Sequence, residues 1–331
     1  MEISDREFKE ALAARCETLD VAVLLPCYNE GLVIRAVVER FRAALPYARI
    51  YVYDNNSTDN SVAEARAAGA IVRREPRQGK GFVVRRMFTD IDADLYLMCD
   101  ADGTYDASAA QTLIDELVEN GLDMVVGTRV DTTGRGYRPA HKFGNWMLTT
   151  LVRKIFGDGF SDMLSGYRVF SRRFVKSFPS MAQGFEIETE LTIHALQLEM
   201  PVQEVPTHFK ERVEGSESKL STVRDGARIL WTIGTLLKQE RPLFLFGVIA
   251  GALVTASLAL AFPIVRDYLA TGTVLRLPTA ILVTGLMILG LLSFFSGLLL
   301  DSVTRGRKEA KLLNYLVHRG ISASLEVRSA A

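Results

Sequence analysis

Short apolar segments alternate with segments of helical periodicity along residues 21–219. The first apolar run covers residues 21–25, and a helical pattern over residues 30–45 follows it. Such alternation is typical of a sheet with crossover helices. It predicts further strands at residues 49–53, 71–74, 95–99 and 124–127, and further helices at residues 57–68, 79–90 and 107–120. We therefore expect an α/β domain over residues 21–221.

Two apolar segments follow this domain. Residues 243–262 and residues 279–300 contain no charged side chain, and each has about the 20 residues that a helix needs to cross a bilayer. Soluble core helices seldom run this long without a charge. The sequence therefore predicts two transmembrane helices within residues 242–302, and two buried core helices are the alternative.

Basic residues flank the two spans on one side. Lys238 and Arg241 precede the first span, whereas the loop between the spans holds only Arg266, Asp267 and Arg276. Four basic residues follow the second span: Arg305, Arg307, Lys308 and Lys311. The positive-inside rule then places the α/β domain and both termini, including a basic tail at residues 303–331, in the cytoplasm. We expect a multi-pass protein of the cytoplasmic (inner) membrane.

Two other segments have amphipathic patterns. Residues 222–241 place apolar side chains close to helical spacing among basic residues, which is typical of a helix in the lipid headgroup layer. Residues 142–156 show a similar pattern, although an ordinary helix packed on the domain would explain it equally well. The N-terminal extension, residues 1–20, has no apolar core segment and is not predicted to be a signal peptide.

Composition narrows the function classes. The 331 residues include 39 Lys and Arg and 39 Asp and Glu, so the chain lacks the basic excess of nucleic-acid-binding proteins and no nucleic-acid partner is expected. Cys16, Cys27 and Cys99 have no metal-ligand spacing, and two of them lie in apolar runs. Buried, reduced thiols are the expectation, which fits a cytosolic location for the domain.

Polar residues cluster where the predicted strands end. These segments are residues 26–30, 54–59, 77–81, 100–102 and 127–129. Open α/β sheets bind ligands at the carboxyl ends of their strands. Helix capping would also explain Ser57, Thr58 or Asp59. The turn at Gly79 to Gly81 either holds an anion on backbone N–H groups or is a plain turn.

Asp100 and Asp102 carry the strongest local signal. Two carboxylates one residue apart at a strand end can converge on a hard divalent ion, which takes its remaining ligands from water and substrate phosphates. A metal held there would neutralise a diphosphate leaving group. A solvated acidic turn that includes Gly103 and Asp106 is the alternative.

Taken together, these motifs resemble glycosyltransferase family 2, whose members have the GT-A fold, a nucleotide-sugar-binding domain with a mostly parallel sheet. Within it the nearest resemblance is to the polyprenyl-phosphate glycosyltransferases. The segments that carry the resemblance are residues 26–30, 54–59, 79–81, 100–102, 127–129 and 162–168, together with Arg212 and residues 217–220.

The resemblance implies a role for individual residues. Asp102 would be the main protein ligand of Mg²⁺ or Mn²⁺, and Asp100 would face the donor or the metal. Relatives often carry Gln where this chain has Thr104, which leaves Asp106 as a possible substitute ligand. The remaining donor-binding residues would be Pro26, Tyr28, Glu30, Asp54, Asn56, Lys80 and Ala101.

The same resemblance suggests the acceptor. Polymer-forming relatives usually carry a Gln-x-x-Arg-Trp stretch, which this sequence lacks. A lipid phosphate is already anionic and needs no general base, but it needs positive charge to hold it. The candidates are Arg129, Arg135, Arg138, Arg212 and Lys219. We expect an inverting, metal-dependent transfer from a nucleoside diphosphate sugar, UDP favoured over GDP, to polyprenyl (undecaprenyl) phosphate.

Two other functions stay open. The first is transfer to a lipid-linked saccharide or a polymer, for which Glu186 or Glu188 could be the general base. The second is a membrane-tethered scaffold that binds nucleotide sugars without catalysis. Small residues on the spans also leave homo-oligomerisation open: Gly247, Gly251, Gly285, Gly290 and Gly297.

Overall fold

The structure is a computed structural model that describes residues 19–131, 160–184, 186–210 and 240–321, together with residues 150, 235, 238 and 323. Within them the strands are β1 (Val21–Cys27), β2 (Arg49–Asp54), β3 (Ile71–Arg74), β4 (Leu95–Met98), β5 (Met124–Asp131), β6 (Arg168–Ser171) and β7 (Val202–Phe209). The helices are α1 (Ile34–Ala44), α2 (Ser61–Ala67), α3 (Lys80–Asp90), α4 (Ala110–Glu119), α5 (Arg172–Ser177), α6 (Ile187–Gln197), α7 (Pro242–Thr271) and α8 (Leu277–Val317).

The seven strands form one sheet in the order β3-β2-β1-β4-β6-β5-β7. β1 pairs in parallel with β2 and β4, β2 with β3, and β5 with β7, whereas β6 runs antiparallel to β4 and β5. Six strands therefore point the same way. The predicted α/β fold with a mostly parallel sheet is confirmed, and the carboxyl ends of β1, β2 and β4 meet at one edge.

Apolar spacing explains how the helices pack on this sheet. In α1 the buried residues are Ile34, Val37, Val38 and Phe41, which fall at the i, i+3, i+4 and i+7 positions of one helical face. The helix α4 buries a similar stripe: Leu113, Ile114, Leu117 and Val118. Between the helices, β1 and β4 are buried on both faces, as expected for central strands of a parallel sheet.

The predicted helix at residues 57–68 begins later than expected. In the structure α2 starts at Ser61, because the residues before it form a hydrogen-bonded loop. The Ser57 N–H donates to Asp54 Oδ1 at 3.1 Å, and the Ser61 N–H donates to Asp59 Oδ1 at 3.0 Å. Such side-chain bonds to nearby backbone compete with helix formation. The polar run after β2 is therefore a loop at the sheet edge.

The chain divides into two compact units, of which the first contains the sheet. The second unit contains α7 and most of α8. Both helices are long and apolar enough to cross a membrane, with 30 and 41 residues, and little of either is buried. The helix α7 ends at Thr271. The next residue, Gly272, has a φ of 70°, the left-handed conformation common after helices. Where a tail was expected after residue 302, α8 continues to Val317.

The last part of α8 belongs to the sheet-containing unit, which includes the chain from Lys311 onward. The Tyr315 hydroxyl donates to Asp123 Oδ2 at 2.7 Å, and Arg173 forms a two-point ion pair with the same carboxylate. Lys311 Nζ donates to Gln197 Oε1 at 2.7 Å. The predicted amphipathic segment at residues 142–156 lies outside the described residues except for residue 150, and most of the one at residues 222–241 also lies outside them.

Candidate functional site

Asp100 lies at the centre of the sheet edge where β1, β2 and β4 end. It follows β4 by two residues, and the register of β4 with the antiparallel β6 pairs Met98 with Arg168. This pairing brings the residues before β6 alongside Asp100: a Cβ on Gly166 would lie 2.5 Å from Asp100 Oδ2. Asp100, which the sequence indicated by its place after a strand, therefore lies where the segment after β4 meets the segment before β6.

Lys80 connects Asp100 to Glu188. Its ammonium group donates to Asp100 Oδ1 and to Glu188 Oε1, so three elements meet at one cation. Burial alone would lower the pKa of Lys80, but the two carboxylates raise it above its usual value. Burial raises the pKa of Glu188, an effect that the Lys80 charge opposes. Lys80 is thus a protonated bridge rather than a free donor.

Two glycines on either side of Lys80 allow a close backbone contact. A Cβ on Gly79 would overlap the Gln183 carbonyl oxygen, and a Cβ on Gly81 would lie 2.5 Å from the Ala182 carbonyl carbon. Gly79 also has a φ of 138°, which favours glycine. The Gly79 to Gly81 motif therefore packs the start of α3 against residues 182–183, a role that spacing alone did not reveal.

Asp102 is oriented by Thr104. Asp102 is buried, and its Oδ1 accepts hydrogen bonds from the Thr104 N–H at 3.1 Å and from the Thr104 hydroxyl at 2.6 Å. Thr104 therefore supports Asp102 from the position where relatives often carry Gln. Asp106 instead accepts a hydrogen bond from the Ser108 N–H at 3.1 Å and caps the short 3₁₀ helix Ala107–Ala109.

Asp106 stays ionised in this capping role. Burial opposes its ionisation, but the hydrogen bonds from Ser108 hold the pKa of Asp106 below its usual range. Capping by an aspartate needs no metal. The suggestion that Asp106 completes a metal site gains nothing from this contact.

The donor set suits a divalent ion that shares its ligands with a substrate. Within the described parts of the chain, no group of three or more His, Cys, Asp or Glu side chains could hold a metal. Mg²⁺ commonly binds through one or two carboxylates, with substrate phosphates completing its octahedron. Asp100 and Asp102 match that pattern, and they do not form a cage that would hold an ion alone.

Asn55 ties the end of β2 to the loop before α3. Its Nδ2 donates to the Glu75 carbonyl at 3.0 Å and to the Arg77 carbonyl at 2.7 Å, and its Oδ1 accepts from the Gly79 N–H at 2.7 Å. The neighbouring Asn56, with a φ of 66°, is bound to the same loop. Asn55 is a structural residue that motif reading did not single out.

The predicted donor-binding residues lie along this edge. Asn56 Nδ2 donates to the Pro76 carbonyl at 2.8 Å, so its amide holds the loop. Asp54 and Glu30 are buried, and the Glu30 N–H donates to Ser61 Oγ at 2.9 Å. The other three positions also lie at the carboxyl ends of their strands: Pro26, Tyr28 and Ala101. These residues share one edge of the sheet, and their contacts with a ligand stay a prediction.

Arg129 forms a two-point ion pair with Asp162. Its Nε donates to Asp162 Oδ2 at 2.7 Å, and its Nη2 donates to Asp162 Oδ1 at 2.6 Å. Burial opposes ionisation of Asp162, but Arg129 holds its pKa below the usual range. The guanidinium also lies 5.7 Å from the centre of the Phe209 ring. Arg129 is therefore held in place before any phosphate binds.

Tyr105 contacts residues that lie next to Asp100 and to Arg129. Its hydroxyl accepts from the Gly166 N–H at 2.9 Å, and its ring centre is 5.2 Å from that of Phe209. Gly166 contacts Asp100, and Phe209 contacts Arg129. The buried Tyr105 thus contacts one neighbour of Asp100 and one neighbour of Arg129.

Residues 162–168 carry part of the family resemblance. Buried hydrogen bonds hold this segment together. Arg168 is fully buried, and its guanidinium donates to the carbonyl oxygens of Ser165 and Met163 and to the Thr192 hydroxyl. Ser165 Oγ donates to the Gly127 carbonyl at 2.5 Å. This segment therefore fixes the base of the site. Four predicted phosphate-binding residues lie outside the described residues: Arg135, Arg138, Arg212 and Lys219.

Comparison with known proteins agrees with the motifs. The profile of the family described as Glycosyl transferase family 2 matches residues 22–178. Glycosyltransferase AglJ of Haloferax volcanii is 34% identical over 250 residues, which cover 75% of this chain and 82% of AglJ. A dolichyl-phosphate hexose transferase of the same organism is 26% identical over 67% of this chain and 96% of that protein.

Solved structures share the fold. Glucosyl-3-phosphoglycerate synthase from Mycobacterium tuberculosis, in complex with Mg²⁺ and uridine diphosphate, gives a TM-score of 0.56 at 23% identity. The match covers 69% of this chain and 82% of the synthase. This likeness supports the GT-A architecture of the sheet-containing domain.

Proposed function

Because the chain belongs to glycosyltransferase family 2, we propose that it moves one sugar from a nucleoside diphosphate sugar to polyprenyl phosphate at the cytoplasmic face of a membrane. The observation that carries the proposal is the pairing, in one chain, of Asp100 and Asp102 at the open sheet edge with two long apolar helices. A water-soluble donor and a lipid acceptor need both features.

The donor side rests on the two aspartates. Asp102, buried and oriented by Thr104, and Asp100, partly open to solvent, would hold Mg²⁺ or Mn²⁺ together with the donor diphosphate. When bound, such an ion supplies positive charge to the departing diphosphate. The fold neighbour solved with Mg²⁺ and uridine diphosphate supports a UDP-sugar over a GDP-sugar.

The acceptor side rests on the apolar helices and on one relative. A protein similar to this chain over 96% of its own length is named a dolichyl-phosphate hexose transferase. A polyprenyl phosphate is anionic near neutral pH, so its oxygen attacks the anomeric carbon without a general base. As that bond forms, the bond from the anomeric carbon to the diphosphate breaks, and the configuration inverts. Among the predicted phosphate-binding residues the structure describes Arg129, which would hold the lipid phosphate in line.

Transfer to a hydroxyl acceptor is the second candidate. It would require a carboxylate base, for which the sequence offers Glu186 and Glu188. Glu188 is buried against Lys80, and Glu186 Oε1 accepts from the backbone N–H groups of Gln183 and Gly184. Both glutamates thus already have roles within the fold, which favours an acceptor that needs no base.

The decisive experiment is a transfer assay on the full chain, purified in detergent. Undecaprenyl phosphate, Mn²⁺ or Mg²⁺ and a panel of UDP- and GDP-sugars are supplied, and lipid-linked sugar is measured. We expect one donor to give a lipid-phosphate monosaccharide, and we expect EDTA or Asp102→Asn to abolish it. The matched control is Asp92→Asn, an exposed aspartate before β4, at the opposite edge of the sheet.

Two results would count against the proposal. Transfer to lipid-linked saccharide but not to undecaprenyl phosphate would support the second candidate acceptor. Metal-dependent nucleotide binding without transfer to either acceptor would support a scaffold that binds nucleotide sugars. Equal loss of transfer in Asp92→Asn and Asp102→Asn would show that the assay reports folding and not the site.

A further inference from the structure

Lys80, Asp100 and Glu188 form a cluster with unequal access to solvent. The side chains of Lys80 and Glu188 are 9% and 5% exposed, whereas that of Asp100 is 30% exposed. Glu188 is the most buried member of the cluster, and its carboxylate is bound to Lys80. Asp100 is the member of the cluster that a donor or an ion can reach.

The backbone around this cluster is tightly packed. The start of α3 meets residues 182–183 through Gly79 and Gly81, and Asp100 lies against Gly166. Glu188 is at the start of α6, which follows residues 182–183 closely in the chain. These backbone contacts hold the segments that carry Lys80, Asp100 and Glu188 next to one another.

Charge explains why a second carboxylate is present. A buried ammonium group paired with Asp100 alone would cancel the charge of the aspartate and weaken its attraction for a cation. With Glu188 also bound to Lys80, two negative charges face one positive charge. The excess negative charge then lies on the accessible side, at Asp100.

We infer that Glu188 is a positioning residue that balances the charge of Lys80, so that the cluster of Lys80, Asp100 and Glu188 keeps a net negative charge that attracts a divalent cation and the donor bound with it. This inference rests on the proposed function, because it takes Asp100 to face that cation. It assigns no contact with the substrate to Glu188. The charge of Glu188 acts on Asp100 through the buried Lys80, which is bound to both carboxylates.

Binding of Mn²⁺ to the purified full chain with UDP present tests the inference without turnover. The free ion is followed by its electron paramagnetic resonance signal. We expect Glu188→Gln, which keeps shape and hydrogen bonding but removes the charge, to weaken Mn²⁺ binding about tenfold. We expect the double variant Lys80→Met with Glu188→Gln to bind Mn²⁺ more tightly than Glu188→Gln alone does, because both buried charges are gone.

Recovery of Mn²⁺ binding in the double variant distinguishes charge balance by Glu188 from a purely structural role of Glu188. A residue that only supports the fold would leave the double variant weaker than the single one, and that result would overturn the inference. Unchanged Mn²⁺ binding in Glu188→Gln would overturn it as well. The matched control is Glu199→Gln, an exposed glutamate just after α6, for which wild-type binding is expected.

Folding is checked by thermal unfolding of each variant. If Glu188→Gln does not fold, the double variant still tests the inference. Charge balance predicts that the double variant retains Mn²⁺ binding. A required contact between Lys80 and Asp100 predicts that it loses Mn²⁺ binding. Failure of the acceptor proposal looks different. In that case Mn²⁺ and UDP bind normally while undecaprenyl phosphate receives no sugar, whereas an unaltered chain that binds no Mn²⁺ would overturn both.

Discussion

The Asp100 carboxylate lies against the α-carbon of Gly166, with no space for a side chain between them. A Cβ at residue 166 would lie 2.5 Å from Asp100 Oδ2 and 2.8 Å from its Cγ. Asp100 is also bound by Lys80 on its other oxygen. The two contacts together fix the orientation of the most accessible carboxylate in the candidate site.

Gly166→Ala should therefore impair function more than stability. The added methyl group meets the end of a side chain, so Asp100 can turn away without moving the backbone. A displacement of about 1 Å at a reacting site can cost about 100-fold in rate. We expect a loss of that order in sugar transfer, with a melting temperature close to that of the unaltered chain.

The control for this glycine is Gly306→Ala in α8, where a Cβ would meet nothing within 4 Å. Transfer by this variant should match the unaltered chain. Full activity of Gly166→Ala would mean that the orientation of Asp100 is not important for the reaction.

Gly81→Ala should have the opposite effect, because its new methyl group meets backbone. The Cβ would lie 2.5 Å from the Ala182 carbonyl carbon and 2.9 Å from that of Gln183. Overpacking that forces backbone shifts costs about 1–3 kcal/mol and sometimes more. We expect a clear drop in melting temperature, measured by circular dichroism in detergent. An unchanged melting temperature would show that residues 182–183 move aside freely.

Much of the fold follows from hydrophobic pattern alone. The alternating strands and helices were predictable because β1 is a continuous apolar run and the buried positions of α1 follow a helical period, and the sequence displays both directly. Helix starts were less predictable. The loop before α2 depends on Asp54 and Asp59 accepting backbone hydrogen bonds, and such capping competes with a helical pattern on nearly equal terms.

The candidate site was predictable only in part. Polar residues at strand ends indicated Asp100, Asp102 and Arg129, since parallel strands deliver such residues to one edge. The partners Glu188 and Asp162 were not predictable, because 108 residues separate Lys80 from Glu188 and 33 separate Arg129 from Asp162. No local spacing records which distant charges meet after folding.

Thr104→Val tests the support that Asp102 receives. Valine matches the shape of threonine but removes the hydroxyl that donates to Asp102 Oδ1 at 2.6 Å. A hydrogen bond to a charged group contributes about 1.5–3 kcal/mol, so transfer should fall at least about tenfold.

Thr104→Ser is the matched control, because it keeps the hydroxyl and should keep most of the activity. Equal rates for the valine and serine variants would contradict a role for this hydrogen bond. Melting temperatures should be measured for both, since Thr104 is buried.

The buried thiols should be unreactive in the folded protein. Burial raises the pKa of Cys27 to about 12 and that of Cys99 well above its usual range. The thiolate is the reactive form, so little of it exists near neutral pH. In a Cys16→Ser variant, we expect no rapid labelling by a maleimide reagent until the protein is unfolded in detergent and urea. Rapid labelling of the folded variant would show that these strands open.

His194 should make the stability depend on pH in mildly acidic solution. The ring packs against Phe174 and Phe178, with centroid distances of 5.3 Å in each case. Burial, aided by the Lys311 charge, lowers the pKa of His194 to about 3 from an ordinary value of 6.5. Below about pH 6.5 the unfolded chain therefore binds a proton that the folded chain does not bind.

The sign of the effect follows from this difference. Above pH 6.5 the imidazole is neutral in both states and contributes no pH dependence. As the pH falls from 6.5 towards 3, the free energy of unfolding should decrease by up to about 1.4 kcal/mol per pH unit from this residue. Thermal unfolding at pH 7, 6 and 5 should show this loss in the unaltered chain and a smaller one in His194→Leu. Identical curves for His194→Leu and the unaltered chain would show that His194 titrates normally when folded.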